Sequence, residues 1–179
     1  MFELQYFIIG IVQGFTEFLP ISSSGHLVLI SELTNWQDQG LFTDVAVHVG
    51  TLLAVIIYLR LHIIILLRNF FTFKINKNYN LIKIIIATIP AVIVGFFIFE
   101  FVQLYFRDIK VVAVTSIVFA AILFVADHFK IKLSKWENMS YFQAFIIGLF
   151  QVLAFIPGAS RAGVTITGAR FIGFDRSSA

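Results

Sequence analysis

The sequence has no cysteine, only three prolines, and charged side chains at just 13% of its 179 positions. Without cysteine there is no disulfide framework, no thiolate nucleophile and no cysteine-based metal site. The scarcity of charge excludes more. Soluble globular domains carry about 25% charged and about 45–50% apolar residues, whereas 59% of this chain is hydrophobic. Such a chain cannot cover a surface with polar groups, which excludes a soluble enzyme and a disordered segment. The net charge of +3 is spread over an apolar chain and not gathered in a basic patch, so no nucleic-acid partner is expected. What remains is an integral membrane protein among membrane lipids.

Basic residues are also missing from a whole region. Before Arg60 there is no Lys or Arg, while Glu3, Glu17, Glu32, Asp38 and Asp44 give residues 1–59 a charge of −5, leaving +8 for the rest. Cytoplasmic loops are enriched in Lys and Arg, so the start of the chain is expected on the non-cytoplasmic side. Met1-Phe2-Glu3 supplies no positive n-region, so the N-terminus does not read as a secretory signal.

A spanning helix needs about 20 mostly apolar residues. Three stretches qualify, over 41–68 (apolar core about 45–67), 81–106 and 109–128. Arg68, Lys74, Lys77 and Lys83 follow the first, and Lys130, Lys132 and Lys135 follow the third; the short turn containing Arg107 and Lys110 lies between the second and third. The positive-inside rule then orders the spans out to in, in to out, out to in. Arg60 and His62 are expected to snorkel to the interface from the basic end of the first span. Glu100 reads as a water-facing carboxylate near the outer end of the second.

Residues 1–40 and 141–176 are apolar but interrupted, the first at Pro20 and Ser22-Ser23-Ser24-Gly25-His26, the second at Pro157-Gly158-Ala159-Ser160-Arg161-Ala162-Gly163. Irregular backbone at membrane depth is tolerated only where protein buries it or a cavity receives it. Both segments therefore read as re-entrant helical hairpins, the first followed by an outer loop. They resemble each other: Gly10, Gln13 and Pro20 align with Gly148, Gln151 and Pro157 with one gap. Three spans lie between them, an odd number, so the second copy is expected to be inverted. The expected architecture is an all-α polytopic membrane protein, one transmembrane domain over 1–179, with inverted-topology repeats and a site near the midplane where the breaks meet.

New helices begin near Gly25-His26 and Arg161-Ala162, with serines as natural N-caps. Free N–H groups and positive dipole ends favour anions there, and the planar fork of Arg161 suits phosphate oxygens. Two such ends make a phosphate or diphosphate cradle, with Ser22, Ser24, Gly25, Gly158, Ser160 and Thr165 as its lining. Ser22 and Ser24 have capping as their plainer role. Gln13 and Glu17 share a helix face, and Glu17 points toward the break; its plainer reading is a protonated structural Glu. A carboxylate beside a diphosphate must carry a proton, act as a base or share a divalent cation, for which Mg²⁺ or Ca²⁺ held by Glu17 and Gln13 is expected. The phosphoryl acceptor is Ser23, His26 or water. Asp44 and His48, one turn apart, read as the capped start of the first span or as accessory site residues.

The stretch Gln13 to Leu27, the stretch Pro157 to Ile166 and the block Asp44 to Leu52 resemble the bacterial undecaprenyl-diphosphatase family, also known for bacitracin resistance. The resemblance implies an enzyme of the cytoplasmic membrane, its site facing outward, that removes the terminal phosphate of undecaprenyl diphosphate and recycles the carrier for peptidoglycan synthesis. It assigns catalytic roles to Glu17, Ser23, His26 and Arg161. Gln13 stands where many members have Glu, leaving one carboxylate. It also implies three further spans beyond Ala179 that complete the second repeat, so this chain is expected to be a fragment or truncated form, inactive alone unless it pairs with a missing half. A homodimer is a candidate assembly. A transporter or lipid flippase of the same architecture, or an inactive remnant, are the alternatives.

Overall fold

A computed structural model describes residues 2–34, 36–37, 39–72, 81–105, 108–128 and 136–179. Asp38, Lys74, Lys77, Arg107, Lys130, Lys132 and Lys135, which carry much of the expected loop charge, lie outside the described residues, as does the side chain of Glu100. The described chain is all helical apart from turns: α1 (Phe2–Thr16), α2 (Ser23–Thr34), α3 (Gly40–Tyr58), α4 (Arg60–Phe71), α5 (Leu81–Tyr105), α6 (Ile109–His128), α7 (Tyr141–Val152) and α8 (Arg161–Phe171). Short 3₁₀ turns at Trp136–Asn138 and Leu153–Phe155 precede and follow α7.

Two helices, α5 and α6, are long and apolar enough to cross a membrane by themselves. Large apolar side chains on their outer faces, such as Phe96, Phe97 and Ile117, are largely exposed, as a lipid-facing surface requires. This is an all-α polytopic membrane protein.

The first expected span is bent. In place of one continuous helix over 41–68, α3 and α4 meet at Leu59 with a bend of 77°. Arg60 opens α4 at this bend, and its guanidinium donates to the Ile57 carbonyl (2.9 Å). It therefore covers a carbonyl in the last turn of α3, which lost its partner when the helix broke, and is not a residue within a straight span. The start of α3 also differs from the expected one. The helix begins at Gly40, whose φ of +74° suits glycine, and the preceding Gln39 makes no side-chain cap bond. Asp44 thus lies inside α3, where its carboxylate accepts from Gln39 Nε2 (2.8 Å).

Both interrupted segments are helix, break, helix units: α1 and α2 pack together, as do α7 and α8. The bundle is assembled around the second unit, with α7 along α5 and α8 along α6, while α2 also meets α6. Ser140 starts α7 with a capping box, accepting from Gln143 N–H while the Gln143 side chain accepts from Ser140 N–H. Gly148 lets α7 approach α5 closely, since a Cβ there would lie 2.5 Å from the Ala87 carbonyl oxygen. At the end of the second unit, buried Arg170 donates to the backbone carbonyls of Phe174 (3.0 Å) and Asp127 (2.7 Å). Arg176 forks onto the Asp127 carboxylate, with Nε 2.8 Å from Oδ1. Together these close the end of α8 onto the end of α6.

Gly148→Ala forces backbone apart and should destabilise the protein by about 1–3 kcal/mol, the usual cost of overpacking, read as a lowered thermal midpoint in detergent.

Candidate active site

The two breaks are built alike. Ser22 precedes α2 and its Oγ accepts from Gly25 N–H (3.1 Å); Ser160 precedes α8 and its Oγ accepts from Gly163 N–H (3.2 Å). In each case a Ser-x-x-Gly segment caps the third residue of the new helix. Under this match Ser23 and Arg161 occupy equivalent first-turn positions, and the N–H groups of the first two residues remain directed outward from each helix end.

Contacts between the breaks hold them together. Ser160 Oγ reaches the Leu19 carbonyl at 3.5 Å, and a Cβ on Gly163 would lie 3.3 Å from the Pro20 carbonyl. From the side, α6 supplies Thr115 Oγ1, which donates to the Pro157 carbonyl, and Ser116 Oγ, which donates to the Gly158 carbonyl (3.2 Å). Gly158 has φ +92°, and a Cβ there would strike the Thr115 hydroxyl and the Val112 carbonyl. Sequence reasoning did not single out Thr115 and Ser116. Their signal was two adjacent hydroxyls in the middle of an apolar span, where polar groups pair with other protein groups.

Two cavities adjoin at this junction. The smaller, about 100 Å³, is lined by Glu17, Ser22, Ser23, Ser24, His48, Ser160, Arg161 and Ala162 among others. Here the carboxylate of Glu17, in the turn that ends α1, is a hub. Its Oε2 accepts from Ser23 Oγ (2.8 Å) and from Gln13 Nε2 (2.8 Å), and His48 Nε2 stands 3.5 Å away. Ser22 and Ser24 hydroxyls are 3.3 Å apart. The larger cavity, about 330 Å³, is apolar, running between α2, α6 and α8 past Leu29, Phe119, Leu123 and Val164. Ser22, Ser160 and Ile21 line both.

The predicted residues therefore divide. Glu17, Ser22, Ser23, Ser24, Ser160 and Arg161 come together, joined by His48 from α3. His26, Gly25 and Gly158 line the larger cavity. The His26 ring is tied by Nδ1–H to the Ser22 carbonyl at 2.6 Å. Thr165 is one turn into α8, its hydroxyl donating to the Arg161 and Ala162 carbonyls, and it lines neither cavity. Asp44 acts through the backbone, its carbonyl accepting from His48 Nδ1 (2.6 Å).

No group of three His, Asp or Glu side chains is placed to hold a metal among the described residues. Gln13 is fully buried and gives its amide N–H to Glu17, while its Oε1 has no partner. One carboxylate and one amide oxygen fall short of the six or more oxygens that Mg²⁺ or Ca²⁺ takes. Mg²⁺ is commonly held by one or two carboxylates with water and substrate phosphate supplying the rest.

The family described as bacitracin resistance protein BacA matches residues 6–179. The chain belongs to this family. Among BacA-like relatives, it is 47% identical over 175 residues to an undecaprenyl-diphosphatase of Saccharophagus degradans, covering 96% of this chain and 66% of that protein. It is 44% identical over 185 residues to an undecaprenyl-diphosphatase of Aliivibrio salmonicida, covering 100% and 69%. It is 42% identical over 181 residues to undecaprenyl-diphosphatase 1 of Pseudoalteromonas translucida, covering 98% and 68%. The chain thus spans about two thirds of the length of these relatives.

Loss of a serine cap typically costs about 0.5–2 kcal/mol. Ser160→Ala should therefore lower the thermal midpoint in detergent, and Ser160→Asp, which keeps a capping oxygen, should lower it less.

Proposed function

We propose that the protein is a membrane phosphatase that hydrolyses undecaprenyl diphosphate to undecaprenyl phosphate and inorganic phosphate, returning the lipid carrier to peptidoglycan synthesis and so conferring bacitracin resistance. The observation that carries this reading is the junction of the two breaks, where a serine hydrogen-bonded to a carboxylate lines one small polar cavity together with Arg161. A phosphoryl group is the ligand that uses all three. The names of the relatives support the same substrate.

In the proposed reaction the terminal phosphate sits at the N-terminal end of α8. Arg161 and the free N–H groups of the first turn neutralise its oxygens, and charge stabilisation of this kind dominates phosphoryl transfer. Ser23 Oγ attacks the phosphorus as Glu17 takes the hydroxyl proton. The bond from phosphorus to the bridging oxygen breaks and polyprenyl phosphate leaves. Water then cleaves the phosphoserine, releasing inorganic phosphate and restoring the Ser23 hydroxyl, with Glu17 again moving the proton. His26 lines the larger cavity, and with Nδ1–H held by Ser22 its Nε2 donates to the departing lipid phosphate in the imidazolium form. The apolar walls of that cavity offer the prenyl tail a place beside the phosphate. A divalent cation, Mg²⁺ or Ca²⁺, would be held by Glu17 and Gln13 together with phosphate and water oxygens and would neutralise charge on the diphosphate.

The charge pattern supports the cytoplasmic membrane of a bacterium as the location, with the cavity opening toward the outer side. Substrate is then met where the carrier is discharged.

Phosphate release from a polyprenyl diphosphate, measured in detergent where no vectorial transport occurs, tests the reading. Ser23→Ala and Arg161→Ala should each lower the rate by about 10²–10⁴-fold, the range for removing a reacting group or a transition-state donor, with membrane insertion unchanged. Arg161→Lys, keeping charge without the fork, should fall between. Undiminished release from either alanine variant, or no release by the unaltered protein, overturns the proposal.

A further inference from the structure

His48 enters the site from α3, a helix outside both hairpins, and reaches the same Glu17 oxygen that holds Ser23. Its ring is not free to turn. Nδ1 lies 2.6 Å from the Asp44 carbonyl, and a carbonyl oxygen only accepts, so Nδ1 carries hydrogen. This bond to the preceding turn of α3 fixes the ring plane and presents Nε2 to Glu17 Oε2. An ionised carboxylate also only accepts, so the contact is attractive when Nε2 carries a hydrogen, with both ring nitrogens then donors.

Around that one oxygen three side chains converge: Gln13 from within α1 and Ser23 from the first turn of α2 as hydrogen-bond donors, and His48 from α3 with Nε2 at 3.5 Å. Gln13 and Ser23 belong to the same hairpin as Glu17. His48 is the member anchored elsewhere. Its own base is secured, because Gln39 Nε2 donates to the Asp44 carboxylate (2.8 Å) while Gln39 Oε1 accepts from Ser31 on α2 (2.9 Å). The His48 and Glu17 side chains are 40% and 28% exposed, so the contact is partly screened and its value lies in direction more than in strength.

The geometry points to His48 as a positioning residue of the reaction, aiming the Glu17 carboxylate at the Ser23 hydroxyl from a helix outside the hairpin. This inference rests on the phosphatase reading and refines the same site. What His48 contributes is a hydrogen-bond donor at a fixed place. Glutamine at this position has an N–H at similar reach and no ability to be a base, while alanine has neither.

The test is steady-state phosphate release from a polyprenyl diphosphate by the full protein in detergent, comparing the unaltered protein with His48→Ala and His48→Gln. Misaiming a reacting group by about 1 Å can cost up to about 100-fold in rate. His48→Ala should lower kcat by about 10- to 100-fold with KM within about threefold, and His48→Gln should restore kcat to within about threefold of the unaltered protein. Equal kcat in His48→Ala and the unaltered protein overturns the inference and leaves the phosphatase reading standing. A change confined to KM overturns it too, as does a glutamine variant no better than alanine. No release by the unaltered protein is the failure of the underlying reading instead.

Discussion

Everything in this molecule depends on how two broken helices dispose of their exposed backbone in apolar surroundings. Each break strands N–H and carbonyl groups that neither lipid nor apolar side chains can satisfy. The chain answers with hydroxyls: Ser22 and Ser160 cover N–H groups, while Thr115, Ser116 and Ser160 cover carbonyls. The second break is thus satisfied against α6, while the first gives its Leu19 carbonyl to Ser160 of the second. Glycine at 158 and 163 removes the Cβ atoms that would hold the surfaces apart.

The chemistry is a by-product of that requirement. Bringing the breaks together brings two helix N-termini together, with positive ends where an anion is favoured. Arg161, the first residue of α8, and Ser23, the first of α2, then occupy matching places, and Glu17 sits in the turn just before. Here Glu17, a charge that is costly in an apolar chain, finds its partners in Gln13 and Ser23. The two cavities share Ser22 and Ser160 as a wall, so one pair of capping serines both completes the fold and separates a polar pocket from an apolar one. A lipid with a phosphorylated head has the same two-part character.

Local signals made much of this legible. Proline and glycine interruptions marked the breaks, and serine before each new helix marked the caps. Proline alone is not decisive, since Pro90 lies inside α5 without ending it; what distinguishes Pro20 and Pro157 is the polar run that follows each. Less legible was the 77° bend at Leu59, because no glycine or proline interrupts the residues around it. Asp44 resembled a cap since acidic residues commonly open helices, yet glycine at 40 let the helix start a turn earlier.

The sequence by itself determined the solvent, the helical class, the positions of the two breaks and the identity of Glu17, Ser23 and Arg161 as charges or hydroxyls out of place in a span. These are properties of composition and short spacing, which a linear reading measures directly. Only the tertiary structure decided which of those residues share a cavity. It placed His48 against Glu17 and turned His26 toward the apolar side. It also gave Thr115 and Ser116 their task across the junction. Such pairings span up to 42 residues between α6 and the second break and 141 between the two breaks, and at those separations proximity is set by how helices pack, not by how residues are spaced.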